Sequence, residues 1–126
     1  MLLNPSTADE SSDDPTIRRC IRYARDWGYA GLLVNLYALR AANPKDLCKA
    51  VDPVGADNDR HLAESALRSE ILVTACGSNA KRARVEEVLS LPGFDKLTCL
   101  HVTKRGQPGH PLYLRSELQP RPWPPP

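Results

Sequence analysis

The sequence predicts an α/β protein of three layers, a short and mostly parallel sheet of about four strands with helices on both faces. Two observations carry this. Apolar runs at residues 2–3, 30–37, 71–76 and 97–102 read as strands, and the second is nearly unbroken, as in a strand buried on both faces. Segments of helical spacing lie between them, and such alternation builds a parallel sheet covered by helices.

The elements follow in order. Leu2-Leu3 ends a first strand, and residues 4–14 form a polar loop with Pro5 and two acidic clusters. Asp13 or Asp14 caps a helix whose first position suits Pro15. Ile17, Cys20, Ile21, Ala24 and Trp27 recur at helical spacing on its inward side, Arg18, Arg22 and Arg25 lie opposite, and Gly28 ends it. Asn35 is the polar interruption near the end of the second strand. Residues 38–57 are loop-rich, with one helical turn near 45–49. Asp57 or Asn58 caps a helix to about Arg68, with Leu62, Ala63, Ala66 and Leu67 inward. The third strand runs into Gly77-Ser78, and a helix over 79–90 turns Ala80, Ala83, Val88 and Leu91 to one side. After the fourth strand, residues 104–111 form a polar turn. Residues 1–118 make one domain, and 119–126 form a proline-rich tail expected to pair poorly in a sheet and to lie extended on the surface.

The chain has 126 residues and a net charge of +2, so one domain is expected and overall charge does not argue for nucleic acid. No apolar run is long enough to cross a bilayer, and the first residues lack the basic start and long apolar middle of a signal peptide, which makes the cytoplasm the default location. Cys20, Cys48, Cys76 and Cys99 form no CxxC pair, so most of them read as small buried apolar side chains rather than metal ligands or disulfides. No cofactor is expected.

Parallel sheets bind ligands at the carboxyl ends of their strands. Here those ends carry Asn4-Pro5-Ser6, Asn35, Gly77-Ser78 and the turn through His110, so four polar features are expected to converge on one edge.

The stretches LNPSTAD, DDPTIRRC, WGY, VNLYALRAANP, DPVGADND, CG and HPLYL, in this order, resemble the bacterial and phage family DUF1643. The chain departs from that pattern at Cys76, where Trp is expected, and at its start, where the family has a further segment completing the first strand. The first strand is therefore expected to be short. The motif order also resembles the uracil-DNA glycosylase superfamily. LNPS is similar to the loop that positions water there, GLLVNLYALRA to the strand whose Asn reads the base edge, ACGSNAKR to a strand-to-helix turn, and GHPLYL to the loop whose His contacts the base.

That resemblance implies glycosylase-like N-glycosidic hydrolysis, or recognition of a nucleobase in DNA or in a nucleotide. The alternative is a non-catalytic nucleic-acid-binding or interaction domain on the same fold. In the enzymatic version Asn4 orients water, since an amide is no base, Asn35 reads the base, and His110 donates to the departing base. The plainer readings are an Asx turn for Asn4, a tie between loops for Asn35, and an idle surface histidine for His110. Ser6, Thr7, Gly77 and Ser78 bind phosphate or only cap turns, and Arg40 follows a strand end where a substrate would pass. Leu112 stands where the glycosylase loop has Ser, and it or Tyr113 either wedges into a duplex or packs the loop down, the reading preferred here. The basic groups Arg18, Arg22, Arg25, then Lys81, Arg82, Arg84, then Lys104, Arg105 could contact phosphates but read as solvated faces. Asp13, Asp14, Asp57 and Asp59 read as helix caps rather than bases or metal ligands. Tyr37 and Trp27 are aromatic candidates without an assigned place.

Overall fold

The computed structural model describes residues 1–2, 14–30, 34–37, 39, 43 and 45–124. Its elements are α1 (Pro15–Asp26), α2 (Lys45–Lys49), α3 (Asn58–Arg68), β1 (Leu72–Thr74), α4 (Arg82–Leu89), β2 (Leu97–Cys99) and β3 (Arg121–Pro122), with 3-10 turns at Phe94–Lys96 and Pro111–Tyr113. The protein is mixed α/β. Among the described residues no helix is long and apolar enough to cross a membrane.

β1 and β2 are parallel, with Leu72 opposite Leu97 and Thr74 opposite Cys99. β3 closes the other side of β2 antiparallel, with Thr98 opposite Pro122. Main-chain bonds continue the sheet beyond β1. The Met1 amino group donates to the Val73 carbonyl, and the Ala75 N–H donates to the Met1 carbonyl at 2.8 Å. A residue bonded in this way to both neighbours of Thr74 follows the parallel pattern. On the far side, the Leu2 N–H donates to Val34 and the Leu36 N–H to Leu2, each at 2.9 Å, which pairs Leu2 with Asn35 in parallel. The spatial order is therefore 34–36, 1–2, β1, β2, β3, and the first four run the same way.

This corrects the strand count. The three-stranded sheet includes β3, which the proline-rich segment supplies and which was not expected. Of the first two expected strands, the described residues show only the Leu2–Asn35 pair. Residues 3 and 31–33 lie outside them. The segment pairs despite its prolines because the N–H that the register needs is Trp123's, which donates to Leu97 at 3.0 Å. Pro122 sits on an edge, where a missing donor costs little. Trp123 is then buried, its indole N–H on the Gly106 carbonyl at 3.3 Å.

Asp14 caps α1, accepting from Thr16 and Ile17 at 2.8 and 3.2 Å, with Pro15 in the first turn. The inward face of α1 differs from the expected one. Tyr23 is buried, while Ile17 and Ile21 are exposed. Tyr23 hides its ring against Trp27, 5.3 Å away, and its hydroxyl donates to the Arg115 carbonyl at 2.6 Å, so an amphipathic residue wins the seam. Beside it the Arg19 guanidinium donates to the Leu114 carbonyl.

In α3, Leu62 and Ala66 are buried as expected, but Leu67 is exposed. Asp57 makes no side-chain cap bond. α4 starts at Arg82, later than the expected 79, and buries Val85 and Val88 together with Arg84. The core gathers Leu36, Tyr37, Leu62, Phe94, Leu97 and Trp123 around the sheet. Cys76 and Cys99 belong to it and Cys20 is half-buried. Burial is the largest cause raising each of these three thiols above its usual range.

Candidate functional site at the sheet's carboxyl edge

The four parallel segments send their carboxyl ends to one edge. β1 leads into Gly77, whose φ of +73° is the left-handed conformation that glycine takes without strain. Beyond β2 the chain makes a hairpin. Val102 pairs with Pro108, Thr103 donates to Gln107 and Gly109 to His101, both at 2.8 Å. The hairpin returns the chain to the edge it left, so His110 stands against β1's end. A Cβ on Gly77 would lie 3.7 Å from the His110 Cβ. Pro111 is buried and anchors the following turn.

Asn35 reaches the same edge two strands away. Met1 lies level with Thr74 and Leu2 with Asn35, so Asn35 is level with Ala75. Two strand spacings separate them by about 10 Å. Three side chains hold the end of this segment. Asn58 donates from its amide to the Asn35 and Leu36 carbonyls, each at 3.0 Å. Arg84, 3% exposed, donates to the Leu36 carbonyl through Nε at 2.9 Å and Nη2 at 2.7 Å. The same guanidinium pairs with Asp59 at 2.6 Å and Glu87 at 3.2 Å. The Tyr37 hydroxyl accepts from the Lys81 N–H at 3.4 Å, which ties this strand end to the loop after Gly77. The Asn35 side-chain amide itself has no hydrogen-bond partner among the described residues, and the residue is half-buried.

His110 is oriented by its own turn. Its Nδ1 accepts from the Leu112 N–H at 3.3 Å, which assigns the proton of the neutral ring to Nε2. Tyr113 lies tilted against it, ring centroids 5.4 Å apart. Burial lowers the His110 pKa below 6.5, and the Asp14 carboxylate partly opposes this. At neutral pH the side chain is thus an uncharged donor through Nε2.

A depressed base takes up its proton in the unfolded chain first. The stability this site confers is complete above about pH 6.5 and is lost as pH falls toward the folded pKa. Thermal melts between about pH 5 and 8 are expected to show wild type losing more stability on acidification than His110→Gln. Parallel profiles would contradict the lowered pKa.

Of the expected site residues, the structure places Asn35, Gly77 and His110 on the common edge, and puts Gly77 against His110. Asn4, Ser6, Thr7 and Arg40 lie outside the described residues. Ser78 is exposed and is not an N-cap, since Lys81 holds that position before α4. Leu112 and Tyr113 do not pack the loop down. They are 40% and 84% exposed, and Pro111 does the packing instead. Arg84 is not on a solvated face, and with Asn58 it is the support that sequence reading missed. Its signal was faint, one cation among three, distinguished only by falling beside Val85 and Val88 on the buried side of α4. Trp27, the C-cap of α1, stacks on Tyr23, and Tyr37 sits in the core at the site's border.

Among the described residues, no three His, Cys, Asp or Glu side chains are grouped to hold a metal ion. The sequence model of one protein family, described as "Protein of unknown function (DUF1643)", matches residues 1–112. No curated protein and no solved structure is significantly similar to the chain.

Proposed function

We propose that this chain, which belongs to the DUF1643 family, takes a nucleobase into the carboxyl edge of its sheet, in a three-layer arrangement like that of uracil-DNA glycosylases. The observation that supports this reading most is His110, held against Gly77 as a neutral donor through Nε2. The Asn35 amide on the same edge, without a hydrogen-bond partner among the described residues, supports it further. An amide offers a donor and an acceptor side by side, which matches the edge of a pyrimidine. In the catalytic version Asn4 orients a water whose oxygen attacks the anomeric carbon. The carbon–nitrogen bond breaks, its electron pair leaves with the base, the His110 Nε2–H stabilises the charge that develops there, and the base anion takes up the proton that the attacking water releases. Ser6, Thr7, Arg40 and the Gly77-Ser78 turn would contact the sugar and phosphate. A base in duplex DNA must first be flipped out, a step a free nucleotide does not need.

The test is incubation with single- and double-stranded oligonucleotides carrying uracil or modified pyrimidines. Release of free base by wild type, lost in both Asn4→Ala and His110→Gln, is the expected result. Binding without release, weakened by His110→Gln, would instead make this a recognition domain. Neither release nor binding of oligonucleotides or free nucleotides would end the nucleobase reading.

A further inference from the structure

We propose that the seam between α1 and the turn after His110 is a docking track for single-stranded nucleic acid. It deepens the reading above, and rests on it, by naming the form in which a base reaches His110. Three observations carry it. First, α1 and its cap hold four arginines against two aspartates, in a chain whose net charge is only +2. At 100° per residue, Arg25, Arg18 and Arg22 fall within a band about 60° wide. All three are exposed. Second, next round the helix come Asp26, 4.0 Å from Arg22, and then Arg19 and Tyr23, which hold the Leu114 and Arg115 carbonyls, so the Arg22 end of the band lies toward the segment that follows His110. Third, Tyr113 is 84% exposed on that segment, and its ring centroid is 5.4 Å from that of His110. An aromatic ring left in water beside a candidate base site offers a stacking face, and a row of guanidinium groups beside it suits a phosphate chain. Together they are the two parts of a single-strand site. The cations argue for a polyanion over an apolar protein partner, although Ile17, Ile21 and Leu112 are exposed nearby.

The probe is a fluorescein-labelled oligothymidylate of about a dozen nucleotides, long enough for one such site, read by anisotropy across a salt series. Wild type should bind the single strand more tightly than a duplex of equal length. Arg22→Gln with Arg25→Gln should reduce the slope of log affinity against log salt by about 1.4. Tyr113→Ser should weaken binding about tenfold. Arg60→Gln, on α3 and paired with Asp57 and Glu64, should change neither, and unchanged far-ultraviolet spectra would show that all variants fold. The proposal is overturned if the α1 and Tyr113 variants bind like wild type, or if Arg60→Gln weakens binding as much. It is also overturned if sedimentation shows the chain pairing with itself through this face without binding the strand. A nucleoside monophosphate that binds in a His110-dependent way while the oligonucleotide binds no tighter would reject the track and leave the pocket standing. If neither ligand binds, both fail.

Discussion

Gly93→Ala is expected to lower stability by about 2–4 kcal/mol. Gly93 has φ +86°, a conformation that costs an alanine about 1–2 kcal/mol. Space adds to this. A Cβ there would meet the Ala66 Cβ at 3.1 Å and the α3 backbone, the Ala66 carbonyl carbon and the Leu67 nitrogen, at 3.2 Å. Helix backbone, even in the last turn of α3, cannot step aside as the tip of a side chain can. Gly106 separates the two causes, because its φ is +79° and a Cβ there meets nothing within 4 Å. Gly106→Ala should cost only the conformational part, about 1–2 kcal/mol. Urea melts of the two variants measure the difference. Equal losses would mean that the contact with α3 contributes nothing.

The second large effect is expected from Arg84→Met, at about 2–3 kcal/mol, or roughly 10 °C in melting temperature. Two charge-assisted bonds to the Leu36 carbonyl disappear, leaving that buried oxygen with the Asn58 amide. Loss of the ion pair is the smaller part. Asp59 is 45% exposed and Glu87 is 63% exposed, so water takes over much of their stabilisation. Asp59→Asn should therefore cost about 1 kcal/mol or less. The ordering of the two variants is the decisive result. If Asp59→Asn costs as much as Arg84→Met, the guanidinium acts through the ion pair and not through the strand end it grips.

These two sites also mark how far the sequence could be read. Local chemistry was legible. The Asp14-Pro15 start of α1, the single turn at Lys45–Lys49, the span of α3 and the cores of β1 and β2 all follow from capping and periodicity. What was not legible depended on partners far along the chain. Ile17 and Ile21 carry the stronger hydrophobic signal, yet Tyr23 takes the seam because two distant carbonyls, on Leu114 and Arg115, accept from its hydroxyl and from Arg19. The 119–126 segment has the composition of a surface tail, and only the position of the Trp123 N–H opposite Leu97 lets it close the sheet. The candidate site shows the same division. Topology alone foresaw that Asn35, Gly77 and His110 would reach one edge. The hairpin that returns His110 to Gly77, and the hold of Arg84 and Asn58 on Leu36, could not be read from spacing.

The place of Met1 and Leu2 between the Val34–Leu36 segment and β1 bears on the order in which the sheet can form. Leu2 closes on a partner 33 residues away, and Met1 on one 72 residues away. Each doubling of loop length adds only about 0.6 kcal/mol of closure entropy, so the distance is a modest thermodynamic burden. Its larger consequence is kinetic, since contacts so far apart in sequence slow folding. As the chain lengthens, these two residues can acquire their second neighbour only after Ala75 has been made. Until then the Met1 amino group and carbonyl, which bond to Val73 and Ala75 in the finished sheet, are open hydrogen-bonding groups, the kind of edge on which foreign strands pair.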